Sequence, residues 1–154
     1  MDLLSLLGTT ATLLAIAAGF IGVERAISRQ LRPRFAAIDR RFDAIDRQFE
    51  AADLLGMRFH AGRGGNTLPK SEGSTIPDAM LETTDEFIAD CARLIDTYHD
   101  AGPFSMRQVV VAPCQPVNCY RETFVESVAL ARDRGVFLHT HVGEGESPVI
   151  QARH

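Results

Sequence analysis

Gln108-Val-Val-Val-Ala112, closed by Pro113, is the stretch on which the fold turns. Three consecutive β-branched residues without polar alternation predict a strand buried on both faces, the mark of a parallel sheet covered by helices. Upstream, Thr83 with Glu86 three residues on forms a capping box. Phe87, Ile88, Cys91, Leu94, Ile95 and Tyr98 then recur at helical spacing, which predicts a helix over 84–99 that Gly102 and Pro103 end. Downstream, 120–134 reads as a second helix, with Phe124, Val128 and Ala131 on one face and Gly135 as its stop. Val136-Phe-Leu-His-Thr-His141 reads as the third strand and Met57–His60 as the first. Strands alternating with helices predict a βαβαβ unit of the α/β class, with a parallel sheet and right-handed crossovers.

Polar residues gather where each expected strand ends. His60 and Arg63 follow the first, Cys114 and Gln115 the second, and His139, His141, Glu144 and Glu146 the third. In such folds the ligand sits at the C-terminal edge of the strands. The connection over 61–82 leaves from the same edge. It is long for a strand-to-helix loop, which suits a mobile lid or substrate loop.

His139-Thr-His141-Val-Gly-Glu144 admits two readings. Residues two apart in a strand share a face, so His139 and His141 could chelate one metal together. Alternatively His141 alone is a ligand, and Glu144 reaches over a metal-bound water as general acid and base. A metal lowers the pKa of such a water toward about 7. Against both stands an ordinary pair of hydrogen-bonded surface imidazoles.

The N-terminal third differs in character. Over residues 1–55 seven Arg balance seven acidic residues, whereas over 56–154 nine basic residues face thirteen acidic ones. From Leu3 to Val23 there is no charge, and 21 residues at about 1.5 Å each span roughly 30 Å of hydrocarbon. Arg25, Arg29, Arg32 and Arg34 follow, an asymmetry that predicts a membrane helix over 1–24 with its C-terminal side in the cytoplasm. A buried soluble helix or a signal sequence are the competing readings. After Pro33 a seven-residue repeat reads FAAIDRR, FDAIDRQ, FEAADLL from Phe35, Phe42 and Phe49. Phe and Ile at positions a and d, with Arg41 at g and Asp46 at e, fit a short coiled coil within 25–55 and a homo-oligomer through residues 31–52. A single amphipathic helix packed on its own chain fits equally well. The whole chain of 154 residues has a net charge of −4 and a pI near 5.7, which excludes nucleic-acid binding as its main task. Its three cysteines make no disulfide framework and suit a reducing compartment.

The blocks GMRFHAGRGGN (56–66), LIDTYHD (94–100), VVVAPCQPVN (109–118) and GVFLHTHVGEGE (135–146) resemble, in order and spacing, the amidohydrolase superfamily. The branch they resemble is that of nitrogen-heterocycle deaminases and chlorohydrolases, such as 8-oxoguanine and cytosine deaminases and s-triazine hydrolases. The resemblance implies that 56–154 is a partial (β/α)8 TIM barrel, preceded by an apolar helix and a short coiled-coil helix. It implies a divalent metal, Zn²⁺ or Fe²⁺, that activates water for attack on a ring carbon bearing an amino or chloro group. It makes His141 a metal ligand, Glu144 the proton shuttle and His139 a strand position without a ligand role. It places His60, Arg63 and Gln115 in loops that shape the pocket for a small nitrogen-heterocycle substrate.

The sequence also departs from the family pattern. No H-x-H pair precedes residue 139, and the later His and Asp ligands of the family would lie beyond His154. A full barrel takes about 250 residues, and a catalytic zinc about three protein ligands. The expectation is therefore a fragment of a metal-dependent amidohydrolase that binds no metal and is inactive alone. The alternative is a membrane-anchored coiled-coil protein whose role is oligomerisation, and a third reading has a partner chain supply the missing strands.

Overall fold

Residues 44–154 are described by a computed structural model. Helical backbone over 44–54 (α1) leads to β1 (Phe59–Gly65), α2 (Thr84–Tyr98), β2 (Arg107–Pro113), α3 (Arg121–Arg134) and α4 (Ser147–Arg153). β1 and β2 pair in parallel, with Ala61 opposite Val109 and Arg63 opposite Val111. Helix α2 starts where its capping box stands: Thr83 Oγ1 accepts from the Glu86 N–H at 3.1 Å, and Glu86 Oε2 accepts from the Thr83 N–H at 2.7 Å. Its apolar stripe, Phe87, Cys91, Leu94 and Ile95, packs with Ala61, Val109, Val111 and Ala131 into one core. Gly135 closes α3 in the left-handed region at φ 66°.

Two strands and one helix face differ from the sequence expectation. The first strand covers 59–65 rather than 57–60, because its hydrogen bonds follow β2 and not its own apolar content. The third strand is reduced to one parallel bridge, Val111 to Leu138. Beyond it the Cys114 carbonyl accepts from both the His141 N–H (3.0 Å) and the Thr140 hydroxyl (2.7 Å), which draws the segment across the end of β2. Helix α3 turns Thr123, Ser127 and Ala131 inward, and leaves Val128 36% exposed. The reason is polar: the Thr123 hydroxyl meets those of Thr67 and Thr84, each at 2.8 Å, and Ser127 bonds back to the Thr123 carbonyl. Helix α4 has no counterpart in the sequence reading, although Ser147-Pro148 is a regular helix start.

The heptad positions that fall in α1 serve this chain's own core. Phe49 is fully buried, stacks on Tyr98 at 4.2 Å and meets Phe59 edge-on at 5.0 Å, while Ile45 packs alongside. Asp46, expected to face a partner's Arg, pairs with Arg93 at 3.1 Å. The coiled-coil expectation is thus corrected for residues 44–54, where the amphipathic-helix alternative holds. Its remainder and the apolar span over 3–23 lie outside the described residues. Among the described residues no helix is long and apolar enough to cross a membrane.

Candidate active site at the end of the parallel sheet

The two faces of β1 carry different chemistry. Ala61, Arg63 and Gly65 point toward the helices and are buried; His60, Gly62 and Gly64 alternate onto the other face. On that second face a cavity of about 220 Å³ opens at the strand ends, lined by Gly62, Gly64, Asn66, Cys114, His139 and His141 among others. A Cβ on Gly62 would come within 3.3 Å of His139 Nε2, so the glycine gives this imidazole its place.

Three of the five expected site residues, Gln115, His141 and Glu144, meet beside this cavity, which His141 lines. Glu144 lies in a turn flanked by Gly143 (φ 87°) and Gly145 (φ 98°), a backbone path that L side chains rarely follow. Glu146 closes the turn by accepting the Gly143 N–H at 2.6 Å. Backbone N–H groups around it hold its carboxyl below the usual carboxylate range. The turn brings Glu144 Oε1 to 3.5 Å from His141 Nδ1, and Gln115 Nε2 donates to Glu144 Oε2 at 2.6 Å. Gln115 therefore fixes one carboxylate oxygen while the other faces the imidazole. Both side chains are more than half exposed, so the pair is accessible to a ligand. Beside them, burial pushes the Cys114 thiol up, a hydrogen bond from Asn118 lowers it, and the Glu144 charge adds to the rise.

His60 and Arg63 are not part of this group. His60 is the second residue of β1, opposite Gln108, about 16 Å of strand below Gly65. Arg63 lies in the strand rather than in a loop, 3% exposed, on the helix side. Its Nε donates to Asp90 Oδ2 at 2.5 Å, and Nη1 and Nη2 donate to the two Glu82 oxygens at 3.0 and 2.6 Å. Burial opposes its charge, but Glu82 and Asp90 outweigh it and hold the guanidinium proton above the ordinary arginine range. The expected placement failed because the strand runs five residues further than its apolar start suggested.

The loop over 66–82 is pinned, contrary to the expectation of mobility. Asn118, 2% exposed, accepts from the Thr67 and Leu68 N–H groups through its carbonyl and from Ser74 and Thr75 through its side chain. Sequence reading overlooked Asn118, Glu82 and Asp90; a capping-type Asn just before a helix was the one available signal.

The family model described as "Amidohydrolase family" matches residues 17–154. The chain belongs to the amidohydrolase family. It is 66% identical over 102 residues to hydroxydechloroatrazine ethylaminohydrolase of Pseudomonas sp. (strain ADP), covering 66% of this chain and 21% of that one. It is 35% identical over 90 residues to 8-oxoguanine deaminase of Pseudomonas aeruginosa, covering 58% and 20%. Among solved structures, atrazine chlorohydrolase from Arthrobacter aurescens TC1, complexed with zinc, superposes with a TM-score of 0.66 at 38% identity, over 70% of this chain and 24% of that one. The chain spans about a fifth of the length of these curated relatives. The architecture, mixed α/β with a two-stranded parallel sheet, has its structural neighbours in the amidohydrolase TIM-barrel fold.

Family membership implies a divalent metal, so its fit to this donor set can be tested. Among the described residues no three His, Cys, Asp or Glu side chains group so as to hold an ion. His139 lies over Gly62, and His141 faces Glu144. A catalytic zinc takes about three protein ligands. The described residues do not by themselves fit a metal centre.

Proposed function

We propose that this chain is a segment of an amidohydrolase barrel that hydrolyses a C–N or C–Cl bond of a nitrogen heterocycle, with Glu144 as the group that moves the proton. The observation that carries the reading is the Gln115–Glu144–His141 contact at the sheet's C-terminal edge. In such a hydrolysis the oxygen of water bonds to the ring carbon, the bond to the amine or chloride breaks, and a departing amine takes up a proton. A carboxylate held at one oxygen by Gln115 can receive the water's proton on the other and return it to the leaving nitrogen. The 66% identity to the ethylaminohydrolase and the deaminase and chlorohydrolase relatives support a heterocyclic substrate. His141 is offered as the imidazole this chain contributes toward the family's metal. The described residues offer no group of three donors, and the chain alone is expected to hold no stoichiometric zinc or iron and to turn nothing over.

The test is a chimera in which this chain's matching stretch replaces that of the Pseudomonas ethylaminohydrolase. The chimera is expected to release the ethylamino group, with E144Q lowering kcat by about 10²-fold or more. A folded, metal-loaded chimera that is inactive, or an E144Q chimera at full rate, refutes the reading. Stoichiometric metal and turnover in the isolated chain refute its incompleteness.

A further inference from the structure

The long loop and the proton-moving carboxylate converge on one short turn. The Asn118 N–H donates to the Gln115 carbonyl at 2.9 Å and closes that turn. The Asn118 carbonyl accepts from the Thr67 and Leu68 N–H groups, both at 3.0 Å, at the start of the loop. Its Oδ1 accepts from Ser74 Oγ at 2.9 Å and from the Thr75 N–H and hydroxyl at 3.0 Å, in the middle of the loop. Bonds at the start of the same turn also hold the Glu144 segment. The Gln115 amide donates to Glu144 Oε2, and the Cys114 carbonyl accepts the His141 N–H. The other loop anchors run from Thr67 to Thr123 and Tyr120, from Glu72 to Tyr120 and Arg153 and from Glu82 to Arg63, and the Cys114 N–H donates to the Gly65 carbonyl beside the loop's start; of these contacts, those of Asn118 are the ones that bond the middle of the loop to the Gln115 turn.

We propose that Asn118 is a positioning residue that couples the 66–82 loop to the setting of Glu144, so that displacement of the loop by a substrate shifts the carboxylate. The inference rests on the proton-moving role assigned to Glu144. A buried amide oxygen that accepts three donors from one strip of chain is a costly arrangement to break. The turn it closes is short enough to transmit a shift from Asn118 to Gln115 without an intervening flexible segment.

The test is hydrogen exchange by mass spectrometry on the full chain, comparing the unsubstituted protein with S74A/T75V, S74A and T75S. The hydrogen bonds of the Ser74 and Thr75 side chains run to Asn118 and Ile76 and not to Gln115 or Glu144. Removing two hydroxyl donors, each worth about 1 kcal/mol, is expected to speed exchange about tenfold or more in loop peptides and also in peptides over 140–146. Peptides of β1 and α2 keep their rates, and T75S, which retains the donor, behaves as the parent. Acceleration confined to the loop overturns the coupling, and so does an unchanged loop. Should the double variant speed every peptide, S74A makes the same comparison with one donor to Asn118 lost, together with the acceptor of the Ile76 N–H, expected at about fivefold. A failed coupling leaves the E144Q result untouched, whereas a fully active E144Q chimera removes the role of Glu144 and leaves the exchange result standing.

Discussion

Replacing Arg63 by Met tests whether the buried ion cluster holds the sheet to its helices. Arg63, Glu82 and Asp90 have side chains 3%, 2% and 1% exposed, so water cannot take over lost partners. Methionine preserves much of the volume and removes every charge–charge bond of Arg63. Glu82 then loses both of its 3.0 and 2.6 Å contacts with the guanidinium, whereas Asp90 keeps the 2.7 Å bond from Arg93 Nε. Breaking one side of a buried pair costs about 3–5 kcal/mol, and the surviving Arg93 bond places R63M near the lower end. Against a typical domain stability of roughly 5–15 kcal/mol this is a large fraction. At about 4 °C per kcal/mol it lowers the melting temperature by about 12 °C. Urea unfolding followed by circular dichroism reads the change directly. R63M/E82M/D90L removes all three charges and is expected to recover more than half of the loss, since Arg93 still pairs with Asp46. A loss below about 1 kcal/mol in R63M, or a triple variant weaker than the single one, contradicts the assignment.

Two further outcomes follow from the core. Burial pushes the Cys91 thiol up to about 12, with Asp90 and Glu82 adding and Arg63 opposing. The folded state therefore keeps a proton that the unfolded chain releases: this contribution is complete below about pH 9 and lost as pH rises toward 12. The stability difference between parent and C91A should fall with pH across that window, at up to about 1.4 kcal/mol per unit; a flat difference contradicts it. G65A should cost about 1–3 kcal/mol in urea unfolding, because the added Cβ runs into the Phe87 ring and comes to 2.7 Å from Glu82 Oε1. G64A, whose Cβ approaches nothing closer than 3.9 Å, is the matched control, and equal costs would refute the steric account.

What the sequence made legible was local. The capping box at Thr83, the stripe from Phe87 to Ile95, the Val109–Val111 strand and the Gly135 stop each depend on neighbours within a turn or two, and each stands in the structure. The same holds for His141 and Glu144, three residues apart and joined by one glycine-flanked turn. What escaped depends on partners far along the chain. Arg63 sits among glycines and reads as a loop residue, yet its carboxylates lie 19 and 27 positions away. The extent of β1 is set by pairing with β2, about 48 residues on, and its three glycines carry no apolar pattern. On α3 the expected Ala131 does face inward, but the Thr123 and Ser127 hydroxyls take the places expected for Phe124 and Val128. The heptads near Phe49 repeat as a coiled coil would, but hydrophobic spacing alone does not say whether the seam meets a second chain or Tyr98 of this one.

The alternation of β1 ties the ion cluster to the site. Glycine-rich strands pair weakly and pin their register poorly. Sliding β1 by one residue against β2 would turn Arg63 onto the cavity face and His60 toward the helices. The slip would also cost Arg63 both carboxylates and leave Glu82 and Asp90 buried beside Phe87, over which the guanidinium now lies at 5.3 Å. A loss of about 3–5 kcal/mol per broken buried pair makes that register inaccessible. With the register held, Gly62 meets His139, and Gly64 and Asn66 line the cavity shared with His141. Arg63 is buried on the helix side of β1, yet it decides which side of the sheet presents glycines and imidazoles to the cavity and which side is packed on α2.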